Sequence, residues 1–169
     1  MPSTFPVTIV LIEDEPGHAR LIERRLRRAH ITNDMVILRD GQEALDYLFV
    51  EPPCTAPPDC PRLILLDLSL PIVDGFYVLE RIKRDERTQH LPVIILTTVD
   101  VPADIERCSA LGCNVSITKP VEETRFLKAI RQLGLCMSMV QPEGSGDSSA
   151  PIGFPSSLMF PHPFQSDSL

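Results

Sequence analysis

The sequence predicts an α/β domain in which helices cover both faces of a parallel sheet. Apolar, strand-like runs alternate with amphipathic stretches between residues 7 and 135, which is the pattern of a doubly wound domain. A polar landmark follows each of four apolar runs, at the point where a strand would end. Because active groups of open parallel sheets collect at the carboxyl ends of the strands, these landmarks predict one shared site.

Each apolar run is interpreted as a buried parallel strand. Four strands are predicted in this way, at Val7–Ile12, Leu63–Leu66, Val93–Leu96 and Val115–Ile117. A further, shorter strand is predicted near Met35–Leu38, second in chain order. Five strands and five helices in about 130 residues fit a flavodoxin-like (βα)5 sheet of strand order 2-1-3-4-5.

The amphipathic stretches between the strands predict the five helices. In the first of them, Ala19, Ile22, Leu26 and Ala29 recur at helical spacing and should face the core. Five prolines between residues 51 and 61 predict the end of the second helix and a stiff loop before the third strand. The predicted helices are Gly17–Ala29, Gly41–Val50, Gly75–Arg84, Ala103–Leu111 and Val121–Leu133.

The chain divides into unequal parts. We expect a short N-terminal extension at residues 1–6, the α/β domain at residues 7–135, and a tail at residues 136–169 that is rich in Pro, Ser and Gly. The tail is predicted to be disordered, because it cannot bury enough apolar surface to offset the ordering of its backbone. Phe154, Phe160 and Phe164 lie beside or near prolines and form a candidate docking motif.

Composition argues against several classes of protein. The 169 residues suffice for one domain with a hydrophobic core, and a net charge of −7 argues against general nucleic-acid binding. No apolar run could span a bilayer and no secretory signal is visible, so a cytoplasmic protein is expected. The five cysteines are odd in number without a C-x-x-C pair, which favours free thiols, with a Cys54–Cys60 bridge as the alternative.

The polar landmarks have ordinary structural explanations when taken one at a time. The acids could cap helices or begin turns, and a lone lysine is usually solvated. Together they are what a site would need to carry a phosphoryl group on a carboxylate. Three converging acids would raise one another's pKa unless a cation held them, and Mg²⁺ prefers carboxylate and phosphate oxygens. The residues are Glu13, Asp14, Asp67, Thr97, Thr98 and Lys119.

These residues, in this order, resemble the receiver domain of two-component response regulators. The resemblance rests on Glu13-Asp14, on Asp67 within LLDLSLP followed by Asp74-Gly75, on Thr97-Thr98 and on Lys119-Pro120. The segments HARLIE at residues 18–23, RDGQEAL at 39–45 and LPVIILTT at 91–98 are similar to those of stand-alone regulators paired with phytochrome histidine kinases. The Pro-rich insertion before the third strand fits that subgroup as well.

The resemblance implies a role for each residue of the site. Asp67 would accept a phosphoryl group from a kinase phosphohistidine and would bind Mg²⁺ together with Asp14 and the backbone carbonyl of Ser69. Glu13 would act on the metal largely through water. We therefore expect Mg²⁺ as the cofactor and a sensor histidine kinase, such as a bacteriophytochrome, as a partner.

The remaining residues would bind the transferred group. Lys119 would pair with Asp67 and then with a phosphate oxygen, and its peptide bond to Pro120 is expected to be cis. Thr97, followed by Thr98, would hydrogen-bond a phosphoryl oxygen and pull its loop inward. The family usually has Tyr or Phe three residues before the lysine, whereas Ser116 stands there in this chain. The aromatic switch of the family therefore cannot operate in its usual form.

Two surfaces are expected to contact partners. The first helix carries five arginines against Glu23 between residues 20 and 28, which indicates either a solvated face or a face that docks the kinase. Its candidate docking residues are Arg20, Leu21, Arg24, Arg25 and Arg28. The resemblance also implies a dimerisation surface formed by the fourth helix, fifth strand and fifth helix. No DNA-binding or second enzyme domain follows, so an unknown downstream protein is expected to receive the signal.

Three functions compete at this point. A phosphorylatable receiver, a signalling protein rather than an enzyme, agrees best with the complete set of acid-site residues. A phosphorylation-independent binding module would share the fold, and Ser116 favours it. A Mg²⁺-dependent phosphatase of the haloacid dehalogenase type also uses a strand-end aspartate, but it normally has a second Asp where Ser69 stands.

Overall fold

The fold is a five-stranded parallel sheet with helices on both faces. The computed structural model describes residues 7–50, 61–98, 101–113 and 115–133. The strand order is β2-β1-β3-β4-β5, as the sequence predicts for a flavodoxin-like sheet. The strands are β1 Thr8–Ile12, β2 Met35–Leu38, β3 Arg62–Asp67, β4 Val93–Thr97 and β5 Val115–Thr118.

Helices follow the strands and pack in two layers. The helices are α1 Pro16–Arg28, α2 Gly41–Leu45, α3 Gly75–Arg84, α4 Pro102–Ala110 and α5 Glu123–Gln132. Alternate residues of a strand face opposite sides of a sheet, so β1 contributes to both layers. Ile9 and Leu11 pack in the core beneath α1 and α5, whereas Val10 and Ile12 pack in the core beneath α2, α3 and α4.

The structure refines several element boundaries. β3 and β4 extend to Asp67 and Thr97, so these two residues still belong to their strands. The stretch predicted as one helix over Gly41–Val50 is regular only to Leu45 and continues as a π-helical turn, Asp46–Val50. The fifth helix starts two residues later than predicted, because Glu122 is an extended N-terminal cap.

Close backbone contact holds the start of α3 against the end of β3. A Cβ atom at Gly75 would overlap the carbonyl oxygen of Asp67 and lie 2.6 Å from the Cα of Leu68. The side chain of Asp74 caps the helix by accepting a hydrogen bond from the N–H of Tyr77 at 3.0 Å. The Asp74-Gly75 pair therefore fixes the loop that follows Asp67.

Several sequence predictions lie outside the described residues. These are the N-terminal extension, the Pro-rich loop with Cys54 and Cys60, and the tail with Cys136 and its phenylalanines. The domain boundary at residue 135 stays a prediction for the same reason. Cys108 and Cys113 are buried free thiols, and burial raises the pKa of Cys108 to about 11. None of the described helices is both long and apolar enough to cross a bilayer.

Candidate functional site

The three acids predicted from the sequence lie together at the carboxyl end of the sheet. Glu13 and Asp14 directly follow β1, and Asp67 is the last residue of the neighbouring strand β3. One carboxylate oxygen from each lies within 4.8 Å of the others. Glu13 and Asp67 are buried, whereas Asp14 is exposed. The buried pair therefore needs compensation of its charge from within the protein or from a cation.

Lys119 supplies part of that compensation. Its Nζ donates a hydrogen bond to Oδ2 of Asp67 at 2.7 Å and another, short one to Oε2 of Glu13. Its backbone N–H donates to the carbonyl oxygen of Thr97 at 2.6 Å, and the bond to Pro120 is cis, as expected. The ammonium is thus held between two carboxylates at the ends of neighbouring strands.

The electrostatics of the cluster are strongly coupled. Burial and the nearby charge of Asp67 raise the pKa of Glu13, although the hydrogen bond from Lys119 opposes this shift. Burial lowers the pKa of Lys119, but hydrogen bonds and charge from Asp67 and Glu13 raise it overall. Lys119 is therefore protonated at neutral pH, and burial makes the charged form of Glu13 less favourable than it is in water.

The segment after Asp67 orients its carboxylate. The backbone N–H of Ser69 donates to Oδ1 of Asp67 at 2.9 Å, while Oδ2 faces Lys119. Both oxygens of Asp67 thus have defined partners. The predicted role of the Ser69 carbonyl as a metal ligand stays a prediction.

The two threonines after β4 differ in environment. Thr97 is buried, with 7% of its surface exposed, and its Oγ1 has no hydrogen-bond partner among the residues that the structure describes. Thr98 is exposed and lines a cavity of about 270 Å³ with Lys119 and residues of α1. A buried hydroxyl without a partner is unfavourable, so the hydroxyl of Thr97 is available to form a hydrogen bond with a ligand.

His18 belongs to the edge of the site, although the sequence analysis assigned it no role there. Its Nδ1 lies 3.5 Å from Nζ of Lys119 and 3.6 Å from Oε1 of Glu13. The available sequence signal was its position in the first turn of α1, directly after the acid pair.

The donor set fits a divalent cation. Three carboxylates within 4.8 Å of one another offer the hard oxygen ligands that Mg²⁺ and Mn²⁺ prefer. Lys119 supplies one positive charge to this cluster of three carboxylates, so a divalent cation would offset the negative charge that remains. Asp14 is exposed, so an ion could reach the site from solvent and keep some of its bound waters.

The arginines of α1 fall into two groups. Arg25 is half-buried and donates to the carbonyl oxygen of Val121 at 3.0 Å, and Arg27 donates to the carbonyl oxygens of Ile31 and Asn33. These two tie α1 to neighbouring loops. The other predicted docking residues are exposed: Arg20, Leu21, Arg24 and Arg28.

Ser116 lies on the edge strand β5, beside the inner strand β4. It pairs in register with Ile95, and its small side chain is exposed. The position therefore has no aromatic group to contact Thr97.

A flavodoxin-like sheet with an acid cluster, a threonine and a lysine at its carboxyl end defines a response-regulator receiver. The chain matches the family model for the response regulator receiver domain over residues 9–131, and it belongs to that family of signalling proteins. It is similar to the response regulator Rcp1 of Synechocystis, with 37% identity over 117 residues, which are 69% of this chain and 79% of that protein.

The chain is also similar to another curated regulator and to two solved structures of response regulators. The probable methanogenesis regulatory protein FilR2 of Methanothrix harundinacea is 38% identical over 128 residues, or 76% of this chain and 81% of that protein. The bacteriophytochrome response regulator AtBRR superposes with a TM-score of 0.69 at 37% identity, covering 81% of this chain and 99% of that one. The Mn²⁺-bound form of Rcp1 superposes with a TM-score of 0.62 at 32% identity, covering 80% and 100%. The chain is thus related to phytochrome response regulators.

Proposed function

We propose that this chain is a phosphoacceptor and that Asp67 takes a phosphoryl group from the phosphohistidine of a sensor histidine kinase. The convergence of Glu13, Asp14 and Asp67 beside Lys119 carries this proposal. In the transfer, a carboxylate oxygen of Asp67 bonds to phosphorus while the bond from phosphorus to the histidine nitrogen breaks. The imidazole nitrogen keeps that electron pair, and the product is an aspartyl phosphate.

Mg²⁺ is the proposed cofactor. Asp14, Asp67 and the backbone carbonyl of Ser69 would hold it, and Glu13 would act largely through water. When bound, the ion offsets the repulsion between an anionic carboxylate and an anionic phosphoryl group. Support comes from the three converging carboxylates and from a related regulator, Rcp1, that was solved with Mn²⁺ bound.

Lys119 and Thr97 would bind the phosphoryl oxygens. The ammonium of Lys119 already faces Oδ2 of Asp67, so it can pair with an oxygen of the incoming group by a small movement. The unpartnered hydroxyl of Thr97 can donate to another phosphoryl oxygen, with Thr98 next to it. Such a contact would turn a local change of charge into a movement of the loop after β4.

The decisive experiment is phosphorylation by acetyl phosphate with and without Mg²⁺, read on a Phos-tag gel. We expect a shifted band that requires both Mg²⁺ and Asp67, and no shifted band for Asp67→Asn. Asp85→Asn is the matched control, because Asp85 pairs with Arg87 outside the site. A folded chain without a shifted band would contradict the proposal, and continuous release of phosphate from acetyl phosphate would indicate a phosphatase.

The proposed partner is a histidine kinase, with a bacteriophytochrome favoured by the relatives. The exposed arginines of α1 would contact it, so Arg24→Glu with Arg28→Glu should slow phosphotransfer from the kinase while leaving labelling by acetyl phosphate unchanged. Arg84→Glu with Arg87→Glu, which makes the same change of charge at the far end of α3, should leave both rates unchanged. Equal transfer rates for the α1 variant and wild type would remove this surface from the proposal.

Signalling without phosphorylation is the second candidate, and Ser116 favours it. A receiver that lacks the aromatic group beside Thr97 has lost one known route from phosphorylation to a change of surface. The downstream protein would then bind equally well to wild type and to Asp67→Asn, with or without acetyl phosphate. Under either function, the surface of α4, β5 and α5 is a candidate for homodimerisation. Sedimentation of the chain with and without acetyl phosphate would test this.

A further inference from the structure

A groove separates α3 from α2 and the π-helical turn that follows α2. Its volume is about 670 Å³, and none of its described lining residues belongs to the acid site. The partly buried lining residues that pack against the core are Leu45, Phe49 and Val73. Three further apolar side chains line the groove and are exposed to solvent: Val50, Ile72 and Tyr77. Exposed apolar side chains that cluster along a groove are typical of a surface that binds another segment of protein.

Ile72 is the least expected residue of this groove. Its φ of 68° places the backbone in the left-handed region, which an isoleucine adopts only under strain. Its side chain is also 79% exposed. An asparagine or a glycine would suit both the backbone and the exposure better. Ile72 thus stabilises neither its own loop nor the core, which favours a role for its side chain in contact with another segment.

The other end of the groove is aromatic and positively charged. The guanidinium of Arg81 lies 5.3 Å from the ring centre of Phe49, and that of Arg87 lies 5.5 Å from it. Tyr77, one turn before Arg81 on α3, adds an exposed ring. Grooves lined by aromatic side chains suit Pro-rich segments, because these segments are already extended and lose little entropy on binding.

The tail of the chain contains a segment with this chemistry. Residues 160–164 read Phe-Pro-His-Pro-Phe. Five residues in the polyproline II form, which alternating prolines favour, span about 12 Å from first to last. Asp74 and Arg81 line the two ends of the groove, and they are separated by about 10 Å of helical rise along α3. The segment and the groove therefore have similar lengths.

Charge and reach also favour this segment. The tail has no lysine or arginine, and Asp167, shortly after Phe164, could pair with Arg81. Roughly 27 residues separate Leu133, at the end of α5, from Phe160, and such a stretch extends to roughly 90 Å. A domain of this size is about 35 Å across, so the segment can reach the groove from α5.

We propose that the groove between α3 and the π-helical turn binds residues 160–164 of the same chain. Phe160 would contact Ile72 and Tyr77, and Phe164 would lie beside Phe49. The segment would then cover apolar side chains that are otherwise exposed. This contact does not depend on phosphorylation of Asp67, so it stands or falls separately from the phosphoacceptor function.

A single tryptophan tests the contact in the full chain. The sequence has no tryptophan, so Phe160→Trp makes fluorescence report on the segment alone. We expect emission at a shorter wavelength, and slower quenching by acrylamide, than for the same chain unfolded in urea. With an effective concentration on the order of 1 mM and a dissociation constant of about 0.1 mM, about nine-tenths of the segments would be bound.

Two variants in this background should release the segment. Ile72→Asn removes the apolar contact, and asparagine tolerates the φ of 68°, so the domain should fold. It should weaken the contact roughly tenfold, which lowers the bound share to about one half and speeds quenching. Phe164→Ser, which changes only the tail, should have a similar effect. Leu21→Asn, at an exposed leucine on α1, is the matched control and should leave emission and quenching unchanged.

Several outcomes would overturn the proposal. One is emission from Phe160→Trp that equals that of the unfolded chain, and another is equal quenching with and without Ile72→Asn. Release of the segment by Leu21→Asn would place it on α1 instead. Emission that shifts to shorter wavelength as the protein is concentrated would mean that the segment binds a second copy rather than its own chain.

Discussion

The acid site and the corner between α4 and β5 lie on either side of Thr97, and they are built in opposite ways. In the acid site, Lys119 contacts both buried carboxylates, and Ser69 orients the carboxylate of Asp67. In the α4–β5 corner, one buried residue anchors α4 and a cavity of about 110 Å³ remains. In the first region two buried carboxylates share one ammonium group, whereas in the second region packing is incomplete.

The difference indicates a division of labour. Phosphoryl chemistry needs groups held within fractions of an ångström, so a rigid cluster on strand ends is suited to it. A surface that changes when a phosphoryl group arrives must instead have alternative packings of similar free energy. The α4–β5 corner has a cavity, and Val101 and Ile105 are exposed at the start of α4, so this region is the better candidate for such alternative packings.

The largest effect on stability is expected at Lys119. Lys119→Met should lower the free energy of unfolding by about 3 kcal/mol in EDTA, because it leaves two buried carboxylates without their cation. Saturating Mg²⁺ should restore part of the loss, since the ion supplies positive charge to the same carboxylates. Urea denaturation with and without Mg²⁺ measures both quantities.

Lys128→Met is the control for that experiment, because Lys128 is an exposed lysine on α5. It should change stability by less than about 0.5 kcal/mol and show no added dependence on Mg²⁺. Equal midpoints for Lys119→Met and Lys128→Met would mean that the acid cluster does not depend on Lys119.

A matched pair of substitutions tests the packing difference, with effects no larger than that of Lys119→Met. Ile82 on α3 is 0% exposed, whereas Ile105 on α4 is 38% exposed. Ile82→Ala should cost about 3 kcal/mol through lost burial and a new cavity, and Ile105→Ala less than about 1 kcal/mol. The same urea titration measures both. Similar losses for the two would show that α4 is anchored as firmly as α3, and the proposed division of labour would fail.

Much of this arrangement could be predicted from the sequence, and the reasons are physical. The apolar runs of β1, β3 and β4 are buried on both faces, and their continuous hydrophobicity is the pattern that predicts central strands of a parallel sheet. Strand ends of a parallel sheet share one edge, which is why the positions of Glu13, Asp67 and Lys119 predicted a cluster. Their roles in phosphoryl transfer stay predictions.

Other features depend on contacts that have no local signal. Arg25 stays a predicted docking residue, but its hydrogen bond to the carbonyl oxygen of Val121 joins segments 96 positions apart and has no local signal in the sequence. The π-helical turn after Leu45 replaces part of a stretch whose apolar pattern is equally compatible with a regular helix. The cavity between α4 and β5 is lined by Cys108 and Ser116, which only folding brings to one place.

The smallest expected effect is on the pH dependence of stability, and it comes from Glu13 in the acid site. Because the folded protein raises the pKa of Glu13 above its ordinary value of 4.5, the folded state holds this proton to a higher pH than the unfolded chain. The resulting stabilisation is fully present below pH 4.5 and is lost as the pH rises through the folded pKa. Glu13→Gln carries no such charge, so without metal it should lose less stability than wild type as the pH rises from 4 to 7.

The same substitution should weaken Mg²⁺ binding, because it removes one of three converging carboxylates. Urea denaturation at pH 4 and pH 7 in EDTA, with a Mg²⁺ titration at pH 7, measures both effects. Glu43→Gln on α2 is the control, because Glu43 is exposed and lies outside the cluster. A metal-free Glu13→Gln chain that loses more stability than wild type over this range would show that Lys119 compensates Glu13 completely. The acid site would then be built for stability as well as for chemistry, and its contrast with the α4–β5 corner would rest on packing alone.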